Sequence, residues 1–260
     1  MPYLTHKHAI ITGGGRGIGA AIAAELARLG ASVTIMGRRL STLEVCAAEI
    51  AAEHRVRVLP VVCDVSDEAS IDAAFARAID ALGDAYVLVN NAGQAGAKSL
   101  VEGDRVMWDQ MMAVNLTGPY LCARAVLPAM LVAEAGRIIN IASTAGVRGY
   151  AKLTAYCASK HGVIGLTRAL AHETAKQGVT VNAVCPGYTE NTSMVRQGVE
   201  ALMQNLDKTE EEATQMLLRN SPRRAFVRPA EVANAVAWLC SPDATAVTGQ
   251  AIAVAGGEVM

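Results

Sequence analysis

The pattern of apolar residues switches repeatedly between short uninterrupted runs and longer segments with helical spacing. Ile18, Ile22 and Leu26 show the second pattern, in which one face of a helix is apolar. Pro119 and Pro128 are expected to kink or break the longest such segment. The short runs predict strands over His8–Thr12, Ser32–Met36, Val56–Cys63, Tyr86–Val89, Arg137–Ala142, Val179–Val184 and Ala251–Ala255. The longer segments predict helices over Gly17–Leu29, Leu40–Glu53, Glu68–Leu82, Trp108–Ala133, Ala155–Gln177 and Glu231–Leu239.

This alternation is typical of βαβ units. It predicts a single α/β domain over residues 1–260, with the Rossmann fold: a doubly wound parallel sheet with helices on both faces. One stretch, residues 188–222, interrupts the rhythm with two polar helix-prone segments, Met194–Leu206 and Thr209–Arg219. It follows the carboxyl end of a strand, where open α/β sheets bind ligands, so a helical substrate lid is expected. An ordinary surface insertion would show the same pattern.

Composition excludes several classes of protein. The 260 residues are 52% hydrophobic and carry a formal net charge of −1, which gives no reason to expect a nucleic acid or an anionic membrane as partner. The six cysteines are scattered without a C-x-x-C pair, so neither a metal site nor a disulfide framework is expected. No leader-like segment and no membrane-length apolar run is found, which predicts a cytoplasmic protein.

A glycine-rich turn joins the first predicted strand to the first helix. Glycines allow the backbone to approach a pyrophosphate, and the following helix N-terminus offers free N–H groups to it. A plain glycine turn is the alternative, but a strand before and a helix after make nucleotide binding the better interpretation. The predicted cofactor contacts here are Gly13, Gly15, Arg16, Gly17, Ile18 and Gly19.

The end of the second predicted strand distinguishes the two nicotinamide cofactors. An NAD site places an acid there for the ribose 2′-hydroxyl, whereas this chain has Arg38 and Arg39. Guanidinium groups bind a 2′-phosphate, and Arg16 supplies a third cation from the glycine turn. NADP(H) is therefore the predicted cofactor, with solvated surface arginines as the alternative.

A second constellation follows the fifth strand. Tyr156 and Lys160 are four residues apart on a predicted helix and share a face. A neighbouring ammonium is expected to lower the pKa of the phenol, so that Tyr156 exchanges a proton with substrate, while Lys160 also holds the nicotinamide ribose. Ser143, at the end of the preceding strand, is placed to hydrogen-bond a substrate carbonyl.

Together these motifs resemble the short-chain dehydrogenase/reductase family over essentially the whole chain. The matching residues are Thr12–Gly19, Cys63-Asp64-Val65, Asn90–Gly93, Asn115, Ser143, Tyr156–Lys160 and Pro186-Gly187.

The resemblance implies further roles. Asp64 and Val65 would contact the adenine, and Asn115 would hold a water that extends a proton path from Lys160. The cleft would be lined by Asn91, Ala92 and Gly93, and the carboxamide held by Pro186, Gly187 and Thr189. Similar sequences often place Thr where this chain has Asn191, with Thr192 one step later. A homotetramer is also implied, with the Trp108–Ala133 and Ala155–Gln177 helices at an interface, although packing within one chain would give the same apolar faces.

The resemblance extends to ketoreductases of 3-oxoacyl thioesters, including those of aromatic polyketide synthesis. It implies reduction of a CoA- or ACP-bound 3-oxoacyl group to the 3-hydroxy form, or the reverse. Two alternatives remain: a dehydrogenase of a cyclic, aromatic or sugar-like alcohol, and a non-catalytic NADP(H)-binding sensor or scaffold. Five arginines around the lid either meet substrate phosphates or are paired with Glu210–Glu212; they are Arg196, Arg219, Arg223, Arg224 and Arg228.

Overall fold

The computed structural model describes residues 2–259 and contains seven strands in one parallel sheet. They are β1 (His8–Thr12), β2 (Ser32–Gly37), β3 (Val58–Val62), β4 (Ala85–Asn90), β5 (Gly136–Ile141), β6 (Val179–Pro186) and β7 (Ala251–Val254). The strand order is β3-β2-β1-β4-β5-β6-β7, and every neighbouring pair is parallel. The predicted doubly wound sheet is confirmed.

Helices connect the strands and cover both faces of the sheet. They are α1 (Gly17–Arg28), α2 (Leu40–His54), α3 (Glu68–Leu82), α4 (Arg105–Met112), α5 (Gly118–Val132), α6 (Thr154–Thr174), α7 (Ser193–Leu206), α8 (Glu210–Leu218) and α9 (Pro229–Leu239). Alternate residues of a strand point to opposite faces. Ile11 therefore packs in a core with α1, α2 and α9, whereas Ile10 packs in another with α3, α5 and α6.

The order of the strands reverses between β1 and β4. Chains that leave these two strands turn to opposite faces, which opens a crevice beyond their carboxyl ends. The glycine-rich turn follows β1, and the loop 91–104 follows β4. Loops after β5 and β6 reach the same edge, so the topology brings all the predicted site segments together.

The proline at 60 lies within a strand without disturbing the sheet. Pro60 opposes Ile35 of β2, and β3 forms the edge of the sheet, where one side of a strand needs no ladder partner. This strand is shorter than predicted, because pairing begins at Val58 rather than Val56.

The long predicted helix at 108–133 differs from expectation in two ways. It begins earlier, at Arg105, and a π-helical segment, Ala113–Thr117, separates α4 from α5. Pro119 lies in the first turn of α5, where a missing N–H costs nothing. Pro128 was expected to kink or break the helix, and the expected break is wrong, because α5 continues through Pro128 to Val132. The proline removes one backbone hydrogen bond, but the helix is still stabilised by its packing on β4 and β5.

Helices α7 and α8 form a separate pair after β6. Thr192 caps α7 by accepting a hydrogen bond from the N–H of Val195, and Thr209 with Glu212 forms a capping box on α8. Both helices pack around a small cluster that includes Val199 and Ala213. The predicted helical segments after β6 are confirmed within a residue or two at each end.

Candidate active site

The glycine-rich turn is held by side chains from both strands that flank the crevice. The hydroxyl of Thr12 accepts hydrogen bonds from the N–H groups of Asn91 and Ala92, each at 3.0 Å. The side-chain amide of Asn91 donates to the carbonyls of Thr12 at 2.9 Å and Gly13 at 3.1 Å. Asn91 thus fixes the turn with its side chain, and no sequence pattern had suggested that Thr12 does the same.

The start of α1 has the form that a pyrophosphate requires. A Cβ added to Gly19 would lie 2.2 Å from the carbonyl oxygen of Gly13, so only glycine lets the helix approach the turn this closely. The N-cap residue, Arg16, makes no side-chain capping bond. The first N–H groups of α1 are therefore free of a side-chain cap and suit an anionic ligand.

Positive charge lies within this turn and at the carboxyl end of β2. Arg16, Arg38 and Arg39 are exposed, and none of the ion pairs within residues 2–259 includes them. Asp64 accepts from the Ser66 N–H at 3.0 Å and from its hydroxyl at 2.7 Å; these bonds lower the pKa of Asp64, and the charge of Arg38 adds to the effect. Val65 is buried against Gly118. Free cations at this place fit a cofactor with a 2′-phosphate.

A cavity of about 420 Å³ lies beside the turn, below α7. Its walls come from the loops after β4, β5 and β6 and from α6 and α7. The predicted site residues that line it are Ile18, Asn91, Gly93, Ser143, Tyr156, Lys160, Pro186, Gly187 and Thr189. Asn115 does not line it, and the three arginines and Asp64 lie outside its wall.

Ser143 lies two residues beyond β5, at the start of a short 3-10 turn, Thr144–Gly146. Its hydroxyl accepts a hydrogen bond from the N–H of Ala145 at 3.1 Å, which orients the oxygen toward the turn and leaves its proton for another acceptor. The Ser143 hydroxyl also lowers the pKa of Tyr156, against the larger effect of burial, which raises it.

Tyr156 and Lys160 lie one turn apart on α6, as predicted, and each is 5% exposed. The Lys160 ammonium donates to the carbonyl of Ile141 at 2.8 Å and lies 5.8 Å from the centre of the Tyr156 ring. The Tyr156 hydroxyl lies 4.0 Å from the sulfur of Met194, in the first turn of α7. Helix α7 thus reaches the candidate catalytic tyrosine directly.

Burial shifts both pKa values toward the neutral forms. It raises the pKa of Tyr156 to about 12, which the Ser143 hydroxyl partly opposes. It lowers the pKa of Lys160 to about 8. The expectation that Lys160 lowers the pKa of Tyr156 is wrong for this structure, because the loss of hydration outweighs a charge at this distance. Tyr156 therefore holds its proton at neutral pH.

Asn115 is fully buried in the π-helical segment, behind the cavity. Its amide nitrogen donates to the Gln94 carbonyl at 2.9 Å, and its oxygen accepts from the Gln94 N–H at 2.9 Å. The same nitrogen donates to the hydroxyl of Ser159 at 3.1 Å, and that hydroxyl donates to the Tyr156 carbonyl at 2.8 Å. Ser159 thus connects Asn115 to the backbone of α6, although sequence reasoning gave it no role. Its place beside Lys160 was the only available signal.

Gly93 lies between Asn115 and Lys160. A Cβ at this position would be 3.3 Å from the Asn115 side-chain oxygen and 3.6 Å from the Lys160 nitrogen. Both polar groups therefore face the same small space, which any side chain at 93 would fill.

The segment after β6 forms a further part of the cavity wall. The Thr189 hydroxyl donates to the Gly187 carbonyl at 3.1 Å, and the Thr192 hydroxyl donates to the Thr189 carbonyl at 2.7 Å. Asn191 adopts a left-handed backbone (φ 57°) and is exposed, while Thr192 lines the cavity. Thr192, one step beyond the position at which similar sequences carry a threonine, therefore contributes to the cavity wall, and Asn191 does not.

Most of the five arginines in and after α7 and α8 are already paired, but with partners other than Glu210–Glu212. Arg196 lies 3.9 Å from Glu200, and Arg223 and Arg228 lie 2.7 and 3.4 Å from Glu231. Within residues 2–259, Arg219 and Arg224 take part in no ion pair. In the same part of the chain, no cluster of His, Cys, Asp or Glu has the arrangement of a metal site. None of the helices described there has the length and apolarity to cross a membrane.

Comparison with known proteins identifies the family. Residues 7–203 match the family model for short chain dehydrogenase. A Streptomyces violaceoruber protein named as a ketoacyl reductase of granaticin polyketide synthase is 42% identical over 251 residues, covering 96% of this chain and 92% of the relative. The 2-(S)-hydroxypropyl-CoM dehydrogenase 3 of Xanthobacter autotrophicus is 40% identical over 95% of this chain and 94% of its own. A crystal structure of an actinorhodin polyketide ketoreductase variant with NADPH superimposes with a TM-score of 0.93, at 39% identity and 97% coverage of both chains. The chain therefore belongs to the short-chain dehydrogenase family of oxidoreductases.

Proposed function

We propose that this protein is an NADP(H)-dependent ketoreductase that interconverts a ketone and a secondary alcohol. The observation that carries the proposal is the cavity in which Ser143, Tyr156 and Lys160 meet the segment Pro186–Thr189, at the carboxyl edge of the sheet. When bound, the cofactor supplies or removes a hydride at the carbonyl carbon. The protein's own residues supply everything else that the reaction needs.

Tyr156 donates the proton during reduction. Its phenol carries this proton at neutral pH, where a group with a pKa of about 12 is fully protonated, so Tyr156 is in the protonation state that a general acid needs before the reaction. The Ser143 hydroxyl hydrogen-bonds the carbonyl oxygen as negative charge develops on it. As the carbon accepts the hydride, the carbonyl π bond breaks and its oxygen takes the Tyr156 proton, giving the alcohol.

Lys160 and Asn115 restore that proton. Lys160 has a pKa of about 8, near physiological pH, so it can pass a proton toward Tyr156 and regain one. Its ammonium and the Asn115 oxygen face one space beside Gly93. We propose that a water held there joins Lys160 to solvent.

The glycine turn and the three arginines bind the dinucleotide. Gly13, Gly15, Gly17 and Gly19 admit the pyrophosphate to the start of α1, and Arg16, Arg38 and Arg39 hold the 2′-phosphate. Asp64 and Val65 flank the adenine, and Ile18, Asn91, Ala92 and Gly93 line the cleft. The NADPH in the related actinorhodin ketoreductase structure supports this assignment.

We propose a 3-oxoacyl thioester, carried by CoA or ACP, as the substrate. The name of the granaticin relative supports a ketoacyl group. Arg219 and Arg224, cations without an ion-pair partner among the described residues, are placed near the lid and suit a carrier phosphate. A cyclic or aromatic ketone is the second candidate, because Tyr150 and Tyr188 both line the cavity.

Steady-state oxidation of NADPH separates the two candidates. Acetoacetyl-CoA represents the thioester and 1-tetralone the cyclic ketone. A kcat/KM at least tenfold higher for acetoacetyl-CoA supports the thioester assignment. The opposite ratio contradicts it and assigns the cavity to ring-containing ketones.

We also propose that the protein forms a homotetramer. Val106 and Trp108 on α4, and Tyr120 and Val132 on α5, are exposed apolar side chains near the predicted interface helices. Light scattering on the purified protein should give about four times the 27.1 kDa chain mass. A monomer mass would contradict the assembly but not the chemistry.

A further inference from the structure

One aromatic side chain of the cavity wall is held in place by groups outside the proposed catalytic set. Tyr150 lies between the Ser143 turn and α6, and it lines the cavity. Its hydroxyl donates a 2.6 Å hydrogen bond to the carboxylate of Glu258. A bond this short from a phenol to a carboxylate is of the strong, charge-assisted type.

Glu258 comes from the segment after β7, 108 positions away along the chain. Gly256 and Gly257 both have positive φ values, 60° and 88°, and they turn the backbone so that Glu258 points inward. The residue is only 9% exposed. A carboxylate is rarely buried to this extent without a partner, and among the described side chains Tyr150 is the hydrogen-bond donor that it meets.

Two further contacts fix this arrangement. The Arg148 guanidinium stacks over the Tyr150 ring at 5.0 Å and lies 3.4 Å from the Glu258 carbonyl oxygen. A Cβ on Gly187 would lie 3.2 Å from the other carboxylate oxygen of Glu258. The carboxylate therefore packs directly behind the segment that faces the cofactor, and it joins that segment to the wall of the substrate cavity.

We propose that Tyr150 is a specificity-determining residue of the substrate cavity and that Glu258 is the positioning residue that fixes its ring. The proposal rests on the proposed function, since it gives the cavity a carbonyl substrate. A ring held by its hydroxyl and one face loses little conformational freedom when a substrate packs against it. Tyr150 then sets the width of the cavity. Without the hydrogen bond to Glu258 the Tyr150 ring would be mobile, and fixing it when substrate binds would lower the substrate affinity.

Four variants test the pair. Tyr150→Phe keeps the ring and removes its hydrogen bond, and Glu258→Ala removes the acceptor. Glu258→Gln keeps an oxygen that accepts from the phenol and serves as the rescue variant. Tyr86→Phe is the matched control, because Tyr86 is also stacked with an arginine, Arg137 at 5.6 Å, but belongs to β4 away from the cavity lining.

The readouts are the KM for 1-tetralone and for NADPH, and the dissociation constant of 1-tetralone from the NADP⁺ complex by calorimetry. Loss of one strong hydrogen bond predicts a rise of about three- to tenfold in both tetralone constants for Tyr150→Phe and Glu258→Ala. The double variant should have tetralone constants no higher than those of the more strongly affected single variant, because both substitutions remove the same hydrogen bond. Glu258→Gln, Tyr86→Phe and every KM for NADPH should stay within about twofold of wild type.

Additive effects in the double variant, or tetralone constants within about twofold of wild type in Tyr150→Phe, would overturn the proposal. A parallel rise in the KM for NADPH would do so as well, because it would indicate a general structural role. If Glu258→Ala fails to fold, Tyr150→Phe and Glu258→Gln still decide the question. Absence of wild-type turnover with both acetoacetyl-CoA and 1-tetralone would contradict the proposed function alone, since the calorimetric dissociation constants of the variants still report on Tyr150.

Discussion

At the scale of single residues, burial disfavours the charged forms of both Tyr156 and Lys160. Burial raises the pKa of the phenol to about 12 and lowers that of the ammonium to about 8. Each shift reflects a cost of keeping the charged form away from water. The site therefore retains a buried cation that folding alone would not favour, which is typical of functional positions.

Replacing this cation should stabilise the protein. In the unfolded chain Lys160 keeps its proton up to about pH 10.5, whereas in the folded protein it gives up the proton near pH 8. Between those values the unfolded state binds more protons, so wild-type stability rises with pH there. Lys160→Met avoids the buried charge and should be more stable than wild type by about 2 kcal/mol at pH 7, given about 1.4 kcal/mol per pKa unit and a lost hydrogen bond.

Urea denaturation at pH 7 and pH 10.5 measures this difference. The stability advantage of Lys160→Met should be present in full below pH 8 and should shrink as the pH approaches 10.5. An advantage that is independent of pH would show that the charge of Lys160 is not its cause.

The arginines after β2 carry the cofactor preference. Arg38→Asp replaces a cation with an anion where we place the 2′-phosphate, and each charge-assisted hydrogen bond contributes about 1.5–3 kcal/mol. The KM for NADPH should rise by at least about tenfold while the KM for NADH changes little. Arg28→Ala, an exposed arginine on α1 paired with Glu25, serves as the control. A preference for NADPH that survives Arg38→Asp would remove Arg38 from the cofactor site.

At the scale of elements, the π-helical segment and α6 act as one unit through Ser159. The extra residue of a π-helical turn places Asn115 inward, and Ser159 joins it to the Tyr156 carbonyl. Turns of this kind often mark functional sites, and here the turn directs a buried amide toward the Lys160 side of the cavity.

Ser159→Ala should therefore reduce kcat by about fivefold or more with little change in the KM for NADPH, because Asn115 loses a hydrogen-bond acceptor and shifts. Thr167→Val is a matched control on the same helix. The Thr167 hydroxyl donates to the Val163 carbonyl at 2.8 Å and accepts from Asn140 at 2.9 Å, so its loss costs similar stability away from the cavity. Equal losses of kcat in the two variants would reduce Ser159 to a structural role.

At the scale of the whole molecule, the sequence predicts the parallel sheet correctly, and its topology brings the candidate site segments to one edge. Strand residues such as Ile10 and Ile11 lie in continuous apolar runs because helices cover both faces of a parallel sheet. The carboxyl ends of such strands meet at one edge, so Ser143 and Pro186 could be placed together without coordinates. Local sequence patterns are therefore sufficient to predict which residues lie close together wherever the order and direction of the strands alone determine it.

Contacts between distant segments were beyond the sequence. The sequence around Glu258 does not indicate that the positive φ values of two preceding glycines direct its side chain to Tyr150. The π-helical segment has no sequence signature distinct from that of an α-helix, so the link from Asn115 to Ser159 was missed. The pKa of Tyr156 was expected in the wrong direction, because spacing reports the neighbouring charge but not the depth of burial.

The central claim is that Tyr156 is the proton donor of an NADPH-dependent ketoreductase. Its most direct test compares wild type with Tyr156→Phe, measuring NADPH binding by fluorescence and NADPH oxidation with acetoacetyl-CoA and with 1-tetralone. The account predicts that both proteins bind NADPH with similar affinity, that wild type reduces at least one ketone, and that the variant loses at least about a hundredfold in kcat, the typical contribution of a general acid. A variant that binds NADPH and turns over at the wild-type rate would contradict the account, and NADPH binding without turnover in either protein would favour a sensor or scaffold.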